Sequence, residues 1–230
     1  MKKGNPYRVL YWMGASVILL IVAVLVLIKL APGKEGGPPP DPERTMIWLY
    51  DPADASAPAQ VVLLEESPSQ DTLSAVAFSA PDDLQQVFGG NHPRPAQDAL
   101  ATQVGRAVHH RVFLPYSLVA TLIDAAQGIA ADGRAMTGAE AIAYIRAGGD
   151  VGPNRAARVL LALADAVHRR GLEMSASEGF KLARQVETDI DLTLIPDVLS
   201  RWSQYGNPTV QAVPGQDLQT VQKLLAPDHP

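Results

Sequence analysis

The chain has 230 residues, 47% hydrophobic and 19% charged, with no cysteine and a formal net charge of −5. These values exclude a disulfide scaffold, a thiolate metal site, a cysteine nucleophile and a chain too polar to fold. Residues 1–31 hold Lys2, Lys3, Arg8 and Lys29 and no acid, so the rest carries −9, the wrong sign for a sequence-independent nucleic-acid partner.

Residues 1–8 read as a cytoplasmic N-terminus and residues 9–30 as one transmembrane helix. No charged side chain falls between Val9 and Ile28, and about 20 apolar residues cross the ~30 Å hydrocarbon core as a helix. Tyr7, Tyr11 and Trp12 suit the headgroup zone, and the preceding cations place the N-terminus inside and the main domain outside the cell membrane. The run Ile28-Lys29-Leu30-Ala31-Pro32 lacks the small-residue cleavage pattern of a signal peptide, so an uncleaved single-pass anchor is expected. Residues 31–43, APGKEGGPPPDPE, form a Pro/Gly linker. A folded domain is expected over residues 44–215, then a polar tail over 216–230 with a helical turn around Leu218 to Leu225.

Within the domain, Met46-Ile47-Trp48-Leu49-Tyr50, Gln60-Val61-Val62-Leu63-Leu64 and the run from Leu73 to Phe78 read as strands, with a turn around Pro68. Pro81 ends the third. Helical spacing covers residues 97–108, Val112-Phe113-Leu114 is a short strand, and a helix begins at Pro115 and ends by Gly128. Thr137-Gly138-Ala139-Glu140 and Ser175-Ala176-Ser177-Glu178 are capping-box patterns at helix starts. Apolar residues at 3–4 spacing from Arg155, and again from Ile195 to Trp202, predict two further helices. Residues 209–213 predict a last strand. Strands interleaved with helices imply an α/β class with a mixed sheet covered by helices.

Several strings resemble the LytR-CpsA-Psr (LCP) family of bacterial envelope proteins. Residues 136–146, MTGAEAIAYIR, are similar to the family's L-x-G-x-x-A-L-x-Y-x-R helix. Asp150 stands where the family has an Asp, and Arg155-Ala156-Ala157-Arg158 resembles its R-x-x-R helix start. Residues 187–202, Val213-Pro214-Gly215 and Phe88-Gly89-Gly90 follow its pattern too. The resemblance spans roughly residues 46–215 and is most specific in the second half. It implies an outer α/β domain that holds a polyprenyl-pyrophosphate lipid and transfers a glycopolymer to peptidoglycan, with Mg²⁺ as cofactor in an active version.

The departures fall at the implied anion site. Where the family reads S-I-P-R-D, this chain has Ser79-Ala80-Pro81-Asp82-Asp83, so an acid replaces an arginine that contacts the diphosphate. The family's metal-binding acid on the second strand falls near Ala59-Gln60, and its R-x-R reads Arg146-Ala147-Gly148. Gly152-Pro153 interrupts a longer gap before Arg155. The remaining pyrophosphate ligands implied by the resemblance are Arg146, Arg155 and Arg158, with Asp83 and Asp150 as supporting acids. Phosphoryl transfer needs cations to spread its charge, so a degenerate lipid-binding or regulatory relative is expected. The alternatives are an active glycopolymer–peptidoglycan phosphotransferase and a tethered protein-interaction module with no ligand site.

Outside the resemblance, His109-His110 sit on opposite faces of a strand and cannot readily share a metal. His92 and His168 read as solvated or dipole-capping residues, Asp51 and Asp54 as a turn after a strand, and Asp189 and Asp191 as capping acids.

Overall fold

The computed structural model describes residues 42–54, 59–88, 93–172, 174–190, 202, 205 and 208–225. The expected N-terminus, membrane helix and nearly all of the linker lie outside them, as do the span from Ile195 to Arg201 in the last predicted helix, His92 and Asp191. Among the described residues no helix is long and apolar enough to cross a membrane.

Six strands form a mixed sheet in the order β7-β4-β1-β2-β3-β8. They are β1 (Glu43–Tyr50), β2 (Gln60–Ser67), β3 (Thr72–Ser79), β4 (His110–Pro115), β7 (Glu187–Thr188) and β8 (Thr209–Ala212). β1–β2–β3 is an antiparallel meander in the register Leu49 to Gln60 and Gln60 to Ser79. β4 runs parallel to β1 and β8 parallel to β3. A short 3₁₀ turn over Pro68–Gln70 closes the second hairpin, with Asp71 left-handed at φ 52°.

Period-two alternation splits the core into two layers. Ile47, Leu49, Val62, Leu64, Ala75 and Ala77 face α3 (Tyr116–Ala125), α4 (Gly138–Arg146) and α5 (Gly152–Arg170). Met46, Trp48, Val61, Leu63, Val76 and Phe78 face α1 (Asp82–Phe88), α2 (Pro93–Val104) and α7 (Leu218–Leu224). The predicted mixed sheet covered by helices is thus what forms. Helix α2 starts earlier than the expected 97–108 and stops at Val104. The elements with no counterpart among those predicted are α1, β7 and a small hairpin of β5 (Ile129–Ala131) and β6 (Arg134–Met136) turned by Asp132-Gly133, both with positive φ. The expected tail is partly core. Val221 and Leu225 are buried against α2 and β3, so the folded body continues through α7.

Both capping boxes form. The Glu140 N–H donates to Thr137 Oγ1, while Glu140 Oε2 accepts from the Thr137 N–H at 2.8 Å. Ser175 and Glu178, ahead of α6 (Ala176–Ala183), repeat the exchange. These bonds hold the Glu140 carboxyl below its usual range, Thr137's backbone N–H first among the causes. A carboxyl depressed in the folded state contributes stability above its unfolded pKa and loses it as pH falls. Loss of the hydroxyl cap in Thr137→Ala should cost about 1 kcal/mol in urea unfolding at pH 7, with a smaller difference near pH 3, where the hydroxyl's bond to the carboxylate no longer counts. A cost that does not shrink with acid would show that hydroxyl–carboxylate bond uninvolved.

Gly152-Pro153, expected to interrupt the gap between Asp150 and Arg155, instead opens the helix that carries the R-x-x-R string. Pro153 occupies the first turn of α5, where its missing N–H costs nothing, and the helix carries Arg155 and Arg158 on its opening turns. At its other end His168, Arg169 and Arg170 meet the negative end of the helix dipole, as expected for His168.

Candidate functional site

The parallel strands β1, β3, β4 and β8 all finish at one end of the sheet, and the first residues of β2 lie there too. Ligands in α/β sheets favour this end. β1 delivers Asp51, β4 delivers Tyr116 at the start of α3, and α4 delivers Arg146 in its last turn. Arg146 donates to Asp51 Oδ2, and its guanidinium carbon lies 5.2 Å from the centroid of the Tyr116 ring. Asp51 is held from its own side by a turn: the Ala53 N–H donates to Asp51 Oδ1 at 3.0 Å and the Asp54 N–H to the Asp51 carbonyl at 3.3 Å. The turn predicted for Asp51 and Asp54 is present, and the carboxylate also serves the arginine.

Below this trio runs a groove of about 430 Å³ between α3 and α4, walled mainly by the small side chains of Ser117, Ala120, Ala139 and Ala143, with Ile142. Arg146 keeps half of its side chain exposed, 51%, against 17% for Asp51. Tyr116 is buried, and burial pushes its hydroxyl up to about 12, with Arg146 pulling the other way. It stays protonated at neutral pH and is no general base.

Arg155 and Arg158 belong to a different set of contacts. Arg155 donates to the Tyr144 carbonyl at 2.9 Å and stacks 4.4 Å from the centroid of the Tyr144 ring. Arg158 donates to Asp132 Oδ1 at 2.8 Å and to Asn154 Oδ1 at 2.9 Å. The Tyr144 hydroxyl donates to the other Asp132 oxygen at 2.5 Å, which raises its pKa. Arg146 and this pair have no partner in common, although Tyr144 and Arg146 lie two residues apart on α4. Residues two apart on a helix point to different sides.

The supporting acids lie elsewhere. Asp83 opens α1, where it accepts from the Leu84 N–H and from Gln103 Nε2 at 2.6 Å. Asp150 is exposed on a 3₁₀ turn, Gly149–Val151. Asp82, in the position of the family's arginine, is exposed and accepts a long 3.4 Å bond from Gln216. A carboxylate does stand near the position that lacks one on β2: Asp51 lies two residues beyond Leu49, the partner of Gln60. In the sequence, Asp51 follows a strand end that ligands favour, but the Asp-Pro-Ala-Asp turn signal outweighs that position. Among the described residues no group of three acids or histidines could hold a metal. Asp51, the carboxylate at this end of the sheet, is engaged by Arg146.

His109 and His110 are each tied to β1. His109 Nδ1 accepts from the Arg44 N–H at 3.0 Å, and His110 Nε2 is 2.8 Å from Glu43 Oε1. Asp189, expected as a capping acid, accepts instead from the Arg111 N–H and guanidinium, at 2.7 and 3.2 Å.

No family model matches the sequence, and no curated protein matches it. Solved structures do. Bacillus subtilis TagT, solved bound to LIIa-WTA, is 14% identical at a TM-score of 0.62, covering 83% of this chain and 91% of that one. Bacillus subtilis TagV is 14% identical at a TM-score of 0.56, covering 80% and 95%. A transcriptional regulator from Enterococcus faecalis is 18% identical at a TM-score of 0.58, covering 75% and 76%. The chain has the LCP-type fold its sequence led us to expect.

Proposed function

We propose that this is a membrane-anchored, extracytoplasmic protein of cell-wall glycopolymer assembly that binds a polyprenyl-pyrophosphate-linked intermediate without transferring it. The observation that carries the reading is the state of the cations. Arg146 alone of the three implied ligands lies at a groove at the ligand end of the sheet, while Arg155 and Arg158 are spent on Tyr144, Asp132 and Asn154. One half-exposed arginine over a channel of small side chains can hold an anionic head. It cannot spread the charge of a transferring phosphoryl group, which takes several cations or a metal. The likeness to TagT, solved with LIIa-WTA, supports the ligand class, and the uncharged run over residues 9–28 supports the anchor.

The test uses the full chain in detergent with a fluorescent polyprenyl-pyrophosphate analogue and Mg²⁺. Binding without phosphate release is expected, weakened about 10- to 100-fold by Arg146→Ala, the scale of one charge-assisted hydrogen bond. Phosphate release abolished by Arg155→Ala would overturn the proposal in favour of an active transferase. Absence of binding under all conditions would favour a protein-interaction module.

A further inference from the structure

The seat on Arg146 that an anion would take is already filled from within the chain. Arg146 donates to Asp51 Oδ2 while its guanidinium lies against the Tyr116 ring, and the other Asp51 oxygen is anchored by the Ala53 N–H. The carboxylate therefore has two sets of donors, and losing the arginine would still leave it one. A loop acid with a local fallback can yield its place without being stranded. Arg146 is half exposed and so open to an incoming anion, while Asp51, 17% exposed, keeps the Ala53 N–H when the arginine leaves it.

Resting on the reading above, we propose that Asp51 is a built-in competitor that sets the affinity of the Arg146 site. An incoming pyrophosphate binds by exchanging with the Asp51 carboxylate, which falls back on its own turn, and no covalent bond changes. The trade holds the mouth near neutrality when empty, since Arg146 and Asp51 cancel. It also selects against weak monoanions, because a singly charged carboxylate or sulfonate gains nothing over the acid it must displace. A multiply charged diphosphate does.

The geometry makes opposite predictions for a competitor and for a positioning residue. A competitor, once neutralised, lets the ligand bind more tightly. A positioning residue, once neutralised, lets Arg146 wander and weakens binding. Titration of the full chain in detergent with a fluorescent prenyl pyrophosphate and with the corresponding prenyl alcohol separates them. Asp51→Asn should tighten the pyrophosphate about tenfold, the effect of removing one nearby negative charge at a partly solvated site. The alcohol should be unaffected. Asp51→Ser, which keeps an oxygen for the turn amides, should act alike and guards against a folding artefact. Asp51→Asn combined with Arg146→Ala should fall back to the affinity of Arg146→Ala alone. Unchanged or weaker pyrophosphate binding in both Asp51 variants, with the wild type still binding, would overturn the competitor and leave the function proposal standing. If no variant and no wild type binds the pyrophosphate, both proposals fall.

Discussion

Arg44→Met should remove about 3–5 kcal/mol of stability, the cost of stranding a buried charge. Arg44 is fully enclosed, with 0% of its surface exposed. Its Nε donates to Glu65 Oε2 at 2.7 Å across the β1–β2 register, and its Nη1 donates to the Ala107 carbonyl at 3.3 Å. Methionine fills most of the volume, so the loss isolates the electrostatic part. Glu65, itself buried, loses its bond to Arg44. The double variant Arg44→Met with Glu65→Leu should recover most of the loss, because replacing both partners of a buried pair by apolar groups is often neutral or better. Urea unfolding of the three variants measures this. A single-variant cost below about 1 kcal/mol would mean that water reaches Glu65 and screens it as on a surface.

The second large effect comes from a position where local propensity and packing disagree. Alanine favours a helix over glycine by about 1 kcal/mol, so Gly138→Ala looks stabilising on the sequence of α4 alone. In the structure a Cβ at Gly138 would lie 2.1 Å from the Ala120 carbonyl oxygen of α3, with backbone behind it that cannot rotate away. The Gly138 N–H is also fixed, donating to Asp124 Oδ1 at 2.7 Å. Overpacking of this kind costs about 3 kcal/mol, so the contact wins and Gly138→Ala should lower stability by about 2–3 kcal/mol. Ala120 and Ala139 wall the groove beneath Arg146. The same variant should therefore lose binding of the prenyl pyrophosphate even where it remains folded. Full stability with full binding would show that α3 and α4 slide apart at no cost.

The parts of the fold written in the sequence are those set by neighbours along the chain. Thr137 with Glu140, and Ser175 with Glu178, satisfy each other across three residues, and both boxes form as read. Alternation in β1, β2 and β3 named the sheet. Gly152-Pro153 reads as an interruption of the gap before Arg155, whereas a first-turn proline is a helix beginning. The β5–β6 hairpin had a signal, Asp132-Gly133, that went unused. The site was harder. Arg146 was legible from its motif, but its partner Asp51 lies 95 positions away and was read as a turn residue alone. Arg158 and Asp132, 26 positions apart, meet only because α5 packs on the hairpin. Equal side-chain chemistry made Arg146, Arg155 and Arg158 look like one cradle, and helix phase divides them.

The direction of β1 carries a consequence of its own. The strand begins at Glu43, beside the stretch that would lead back to an anchor, and delivers Asp51 at its far end. Eight extended residues span about 26 Å. For a chain held in the bilayer by its first 30 residues, the Arg146 mouth then stands a full strand's length from the root of the stalk. Residues 31–41, drawn out, reach at most about 40 Å. Under the proposed anchoring, that reach would let the body tip over and bring its mouth down to a lipid head.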